Sequence, residues 1–169
     1  MSATAGPLRP GEPEPGGPAR VRLAVDPGDV AAALAIRHQV FVQEQGVPVE
    51  LERDPRDRDA DHFLALVAGV PAGAARLVIE PAGFEGLDLR LGPVAHLGRL
   101  AVLSSARRQG LGALLVGAVQ GRAVDRGLAV VYLGAQTHAV GFYAALGYGA
   151  FGADFLDAGL EHRHMAHVL

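Results

Sequence analysis

Residues 104–115 read Ser-Ser-Ala-Arg-Arg-Gln-Gly-Leu-Gly-Ala-Leu-Leu. The apolar run Leu97-Gly-Arg-Leu-Ala-Val-Leu103 stands before them, and the stretch from Gly112 to Arg126 behind them has helical spacing. Two arginines and two glycines between a strand and a helix make either a plain turn or a cradle for a phosphorylated ligand. The cradle has a physical basis. A helix N-terminus carries unpaired N–H groups and a partial positive charge. Glycine lets the backbone come close to a ligand, and successive N–H groups wrap a phosphate. Arg107 and Arg108 add forked donors for phosphate oxygens. Two familiar phosphate loops do not fit. A Walker loop needs Gly-Lys-Ser/Thr, and the chain contains no lysine. The dinucleotide fingerprint G-x-G-x-x-G fails at its third glycine, where Leu115 stands, and it normally opens near a first strand rather than past mid-chain. What remains is R-x-x-G-x-G, Arg107 to Gly112.

Outward from this loop, hydrophobic periodicity sets out the rest of the domain. Val21–Val25 alternates as a strand, and Asp26-Pro27 offers an N-cap and an N1 proline for a helix running to Val40 or Phe41. A polar segment, 43–61, follows. Residues 62–68 and 73–80 predict two strands of a hairpin about a turn at 69–72, and 96–102 predicts the strand that leads into the loop. In the helix from Gly112, Leu114, Leu115, Ala118, Val119 and Val124 suit a buried face, with Gly117 and Gly121 allowing close packing on the sheet. Then come a buried strand from Ala129 to Gly134, a short helix from Ala139 to Leu146 stopped by Gly147, and strands at 150–154 and 162–168 about a turn near Ala158-Gly159. This order predicts a mixed α/β sheet. Residues 1–20, with five prolines and four glycines, predict a disordered tail, leaving one domain over 21–169.

Composition excludes several classes. Half of the 169 residues are hydrophobic, so a sizeable core is expected. The net charge of −3 argues against a nucleic-acid partner. The chain has no cysteine, which removes disulfides, thiolate metal sites and a cysteine nucleophile together. No apolar run approaches the ~20 residues of a membrane span, and no secretory h-region opens the chain, so a cytoplasmic protein without membrane contact is expected.

The R-x-x-G-x-G loop, in its strand–helix setting, resembles the coenzyme A loop of the GNAT N-acetyltransferases. Gly98-Arg-Leu-Ala-Val102 resembles the strand that precedes that loop, and Ala139-Val-Gly-Phe-Tyr-Ala-Ala-Leu-Gly-Tyr148 resembles the family's later A-x-x-F-Y-x-x-x-G-F/Y signature. Ile36-Arg-His-Gln-Val-Phe-Val-Gln-Glu-Gln-Gly-Val-Pro48, with Asp157-Ala-Gly-Leu-Glu-His162 and Met165, is similar to the ElaA/YjcF-like branch. The chain departs from that branch where Gly-Leu-Glu-His replaces Gly-Ile-Pro-His. The resemblance spans residues 21 to 168. It implies an α/β GNAT fold: a mixed, mostly antiparallel central sheet flanked by helices, with acetyl-CoA at the splayed centre of the sheet. It implies that main-chain groups of Leu100, Ala101 and Val102 meet the pantetheine arm. It implies that Arg107, Arg108, Gln109, Gly110, Leu111, Gly112 and Ala113 hold the pyrophosphate, and that Tyr143 faces the sulfur.

Acetyl transfer to an amine requires a deprotonated nitrogen, a polarised carbonyl and a protonated leaving thiolate. A lysine-like amine is neutral only about once in 10³ molecules at pH 7. Tyr143 is the expected acid. Glu44, in the F-V-x-E-Q segment, and His162 are candidate bases, and a water chain is a third route. Arg99 suits either an acidic acceptor or a neighbouring carboxylate. The run of acidic residues from Glu50 to Asp61 either steers a cationic amine or forms a solvated loop. His162 and His164 would share a strand face with His167 turned away, and nothing completes a metal site, so none is expected. The expected reaction is direct attack of a primary amine, from a small molecule or peptide, on acetyl-CoA in a ternary complex. Two alternatives stand beside it: an acyl-homoserine-lactone-synthase-like acyltransferase and a non-catalytic acyl-CoA-binding module. A second copy of the chain is a candidate partner.

Overall fold

The computed structural model describes residues 17–169. The predicted tail lies outside the described residues over 1–16, and strand β1, Ala19–Leu23, already begins before Val21. Helix α1 spans Pro27–Arg37; the Asp26 side chain accepts from the Asp29 amide at 2.8 Å, and proline stands at its first turn, as the sequence predicts. The helix runs on as a π-helical segment, His38–Glu44, whose wider turns carry Phe41, Glu44 and Gln45 to the edge of a cleft. The polar segment is not featureless: it holds a short helix α2, Val49–Glu52, and a 3₁₀ turn, Pro55–Arg58.

Strands β2, Asp61–Val67, and β3, Val70–Glu80, form a hairpin about Ala68-Gly69, both with left-handed φ (49° and 80°). This turn is tighter than the predicted 69–72. Pro71 is tolerated in β3 because the register shifts beside it, between Ala65 and Leu66. Then follow β4, Val94–Val102; α3, Leu111–Asp125; β5, Val130–Gln136; α4, Val140–Ala145; β6, Gly149–Asp157; and β7, Leu160–Val168. The sheet order is β1-β2-β3-β4-β5-β7-β6, antiparallel except for β4 with β5. This is the mixed, mostly antiparallel sheet with flanking helices that the sequence predicts.

Helices cover both faces. On one, Leu111, Leu115, Val116, Val119 and Ala123 of α3 pack on Leu97, Val131, Leu133 and Met165; on the other, Ala33, Ile36 and Val40 pack on Leu64, Ala74 and Ala101. Each such leucine or valine contributes ~1.5–3 kcal/mol by leaving water. The predicted face of α3 is partly wrong. Leu114 and Val124 are exposed, and Gly117 and Gly121 face open space. The close approach occurs from the sheet side, at Gly73, where an added Cβ would lie 3.1 Å from the Leu115 side chain and 3.2 Å from the Ala101 carbonyl oxygen. Among the described residues no helix is long and apolar enough to cross a membrane.

The acidic run is not simply a solvated loop. Arg37, fully buried, donates to Glu52 at 2.6 Å and to both carboxylate oxygens of Asp57 at 2.8 and 2.9 Å. Arg76, also buried, reaches Asp54 and Asp57 at 2.9 and 2.8 Å. Asp61 pairs with Arg122 in α3 and with Arg126, the residue that caps its end. Glu52, Asp54 and Asp57 thus fold back onto two arginines that could not otherwise be buried. Glu50 and Asp59 remain on the surface.

Candidate active site

β4 and β5 are joined at only two register positions, Ala95 with Val131 and His96 with Tyr132. Beyond them the strands part. A bulge helps to turn β4 away: the register with β3 shifts between Ala74 and Arg76, and Arg99 opposite it adopts a left-handed φ of 52°. The fork opens a cleft of about 1310 Å³.

At one end of the cleft stands the N-terminus of α3. Arg108 and Gly110 have φ of 60° and 80°, and this pair of left-handed residues swings the chain from the 3₁₀ turn Ser104–Ala106 into the helix. Nothing lies within 4 Å of a Cβ built on Gly110. The first amides of α3 have no intrahelical acceptor and point outward at this end. Arg108 is exposed and has no ion-pair partner among the described residues. The open space, the donors and the free guanidinium together fit a diphosphate.

Leu100, Ala101, Val102, Arg107, Arg108, Gly110, Leu111, Gly112, Ala113, Tyr143, Glu44 and His162, expected to act together, all border this one cleft. Gln109 does not; its side-chain amide donates to the Ser105 carbonyl at 3.3 Å. Arg107 is also committed locally. It donates to the Val102 carbonyl at 3.0 Å and pairs with Glu44 at 2.6 and 2.8 Å. The hydrogen bond from Arg107 holds the Glu44 carboxyl below its ordinary range, which makes it a weaker base. Arg99 takes the second of its two expected roles, donating to the Leu51 and Glu52 carbonyls and standing 3.8 Å from the Glu52 carboxylate. Burial pushes the Arg99 guanidinium down, and nearby Arg76 and Arg37 add to this.

Tyr143 is buried on α4, edge-on to Phe142 and Tyr148. Its hydroxyl has no hydrogen-bond partner among the described residues, and burial raises its pKa well above that of free tyrosine, with Tyr148 adding to the shift. It therefore stays protonated and presents a donor. Phe142 lies against Gly112, where an added Cβ would be 3.1 Å from the ring. His162, on β7 opposite Gln136 of β5, is 9% exposed. Its Nδ1 lies 2.8 Å from the Leu160 carbonyl, which can only accept. Nδ1 therefore carries a hydrogen, and in the neutral imidazole Nε2 would be the lone-pair nitrogen. His164 shares the face of His162, both against the Phe155 ring, whereas His167 turns to the Gly147 carbonyl.

Several cleft residues escaped the sequence reading. Gln45 and Gln136 exchange amide hydrogen bonds at 3.3 and 2.9 Å, tying the π-helical segment to β5. Phe84, His96, Tyr132 and Phe155 give the other end of the cleft an aromatic lining. Gln45 and Gln136 lie 91 positions apart and the four aromatic residues in separate elements, so no local pattern joins them.

Residues 24–169 match the family model described as an acetyltransferase (GNAT) domain. The chain is 35% identical over 134 residues to the uncharacterized N-acetyltransferase YjcF of Bacillus subtilis, covering 79% of this chain and 88% of that protein. Among solved structures it is similar to an acyl-CoA N-acyltransferase from Pseudomonas aeruginosa, with 30% identity, a TM-score of 0.70 and coverage of 88% of this chain and 97% of that one. Escherichia coli ElaA shares the fold, at 24% identity, a TM-score of 0.68 and coverage of 88% and 97%.

Proposed function

Because the chain belongs to the GNAT acetyltransferase family and is thus an acyltransferase, we propose that it transfers an acetyl group from acetyl-CoA to a primary amine by direct attack in a ternary complex. The observation that carries this reading is the shared cleft. The Gly110–Gly112 loop at the N-terminus of α3, Tyr143 and the His162 imidazole all border the same fork between β4 and β5.

The diphosphate lies on the amides of residues 110–113 with Arg108 beside it. The pantetheine arm takes the place of the missing strand partner along Leu100–Val102, whose ladder to β5 ends at His96. The thioester then sits near Tyr143. His162 Nε2 takes one proton from the amine as its nitrogen bonds to the acetyl carbon and the carbon–sulfur bond breaks. The Tyr143 hydroxyl stabilises the leaving thiolate by hydrogen bonding. Its raised pKa makes outright proton loss from the tyrosine costly, so the thiolate takes its final proton from solvent. Glu44 anchors Arg107 and leaves the base role to His162. No cysteine is present to carry a covalent acetyl group, and positioning two substrates in one cleft supplies several kcal/mol of the barrier reduction.

Titration calorimetry with coenzyme A, followed by thiol release from acetyl-CoA in the presence of an amine panel, tests this reading. Binding with amine-dependent thiol release and a product heavier by one acetyl group is expected. Binding without thiol release would leave only an acyl-CoA-binding protein, and no binding would remove the reading altogether.

A further inference from the structure

The bulge that turns β4 away from β5 also gathers charge. Arg76 of β3 stands opposite Gly98 of β4, and the register shifts between Ala74 and Arg76. Gly98 leaves the space above the strand open: an added Cβ would lie 3.9 Å from Arg76 Nη2. Regular alternation would send the next side chain, Arg99, to the opposite face, toward α3. Instead Arg99 takes a left-handed φ of 52°, uncommon for a residue with a side chain, and its guanidinium reaches the Leu51 and Glu52 carbonyls. Arg37 donates to that same Glu52 carbonyl and shares Asp57 Oδ1 with Arg76. The strained backbone at Arg99 therefore brings a second guanidinium to the side of the sheet that carries Arg76.

Neither guanidinium is fully engaged. Arg76 is 2% exposed, yet only its Nη1 is bound, to Asp54 and Asp57. Its Nε is buried with no hydrogen-bond partner, and Nη2, above Gly98, forms no hydrogen bond among the described residues. Folded proteins rarely leave buried donors unpaired. Arg99 spends Nε and Nη2 on main-chain carbonyls at 3.2 and 3.3 Å, and its Nη1 forms no hydrogen bond among the described residues. The Glu52 carboxylate, 3.8 Å from Arg99, is already held by Arg37 at 2.6 Å. Arg76, Gly98 and Arg99 all border the cleft. Burial, and after it the charges of Arg76 and Arg37, disfavour the charged form of Arg99; an anion seated between the guanidiniums would oppose that effect.

We propose that the acceptor is an amino acid whose carboxylate is held above Gly98 by Arg76 Nη2 and Arg99 Nη1 while its amine faces the thioester. This rests on the acetyltransferase reading above and narrows its substrate class. Guanidinium donors match the two oxygens of a carboxylate in geometry as well as charge. The diphosphate has its own cradle at the N-terminus of α3, so this second set of donors is left for the acceptor. The place also suits the reaction: Arg99 directly precedes Leu100–Val102, along which the pantetheine arm lies, so the anion site and the thioester end of the arm are neighbours on β4. Transfer converts the amine and acetyl-CoA into an N-acetyl amino acid and free coenzyme A, and the carboxylate is unchanged.

The test compares amino acids with the amines that lack only the carboxylate: phenylalanine with phenethylamine, leucine with isopentylamine, and 5-aminovalerate with butylamine. Binding to the full chain, with and without coenzyme A, is measured by calorimetry, and acetylation is followed separately by mass. In at least one pair the amino acid is expected to bind about tenfold more tightly than its amine. In Arg99→Asn, which removes the charge with a residue that tolerates the left-handed φ, that ratio is expected to fall toward one; a ratio taken within one variant is insensitive to a general loss of folded protein. Amines that bind as tightly as their amino acids in every pair, no detectable binding of any amino acid, or a preference that survives Arg99→Asn overturns the proposal. If the carboxylate is preferred through Arg99 but nothing is acetylated, the anion site stands and the transferase reading falls. If amines are acetylated without that preference, the transferase reading stands and the proposal falls.

Discussion

Arg107 closes both terminal guanidinium nitrogens on the Glu44 carboxylate, at 2.6 and 2.8 Å, beside the loop that opens α3. The pair joins a residue expected to hold phosphate to one expected to act as base, and it weakens the case for each. An exposed pair of this kind is worth ~0.2–1 kcal/mol. In Glu44→Gln, Arg107 is freed and a negative charge near the phosphate site is gone. Coenzyme A is expected to bind up to about fivefold more tightly, and, with His162 as the proposed base, kcat to change by less than about tenfold. Calorimetry and steady-state kinetics read both. A kcat loss near a thousandfold would restore Glu44 as the base.

Tyr143→Phe removes the buried donor and keeps the ring. If the hydroxyl holds the leaving thiolate, kcat should fall about 10²-fold, with the affinity for coenzyme A nearly unchanged. Burial raises the tyrosine pKa, so the wild-type rate should show no alkaline decline from tyrosine ionisation through the mildly alkaline range. An unchanged kcat in Tyr143→Phe would remove this role.

A base works only while unprotonated, so kcat/KM should rise with pH along an acidic limb. His162→Ala should lose that limb together with about 10²–10⁴ of the rate. The same limb in both proteins would assign the proton to water or to another group.

The ion cluster around Arg37 and Arg76 predicts acid sensitivity. Two arginines hold the Asp57 carboxyl at about 2, against the opposing effect of burial. A carboxyl depressed in the folded state adds stability above its unfolded pKa, and that contribution is lost as pH falls through the folded value. Denaturant midpoints should therefore decline between about pH 4 and pH 2. Asp57→Asn should destabilise at neutral pH by ~3–5 kcal/mol, because it leaves buried arginines short of a partner, and should flatten this decline.

Two glycines should respond oppositely to alanine. At Gly73 the new methyl would meet Leu115, the Ala101 carbonyl and Ala65 at 3.1–3.3 Å, a crowding worth ~1–3 kcal/mol of destabilisation. Gly117 sits exposed in α3 with nothing within 4 Å. There alanine should stabilise by ~0.5–1 kcal/mol through helix propensity. Thermal unfolding of the two variants checks both signs.

The sequence by itself determined whatever rests on local order. The Asp26-Pro27 cap, the Ala158-Gly159 turn and the strand–loop–helix setting of Arg107–Gly112 are written in neighbouring residues, because caps, turns and helix termini are satisfied within a few positions. The family and the mixed sheet followed from motifs of that kind in the right order. Tertiary structure alone decided which charges meet and which helix face is buried. Arg37 finds Asp57 20 residues away, Gln45 finds Gln136 91 away and Arg107 finds Glu44 63 away, and such partners carry no sequence spacing to read. Gly117 and Gly121 suggested close packing, yet Gly73 provides it, because an Ala/Gly-rich helix has too little polar contrast to mark its own buried face.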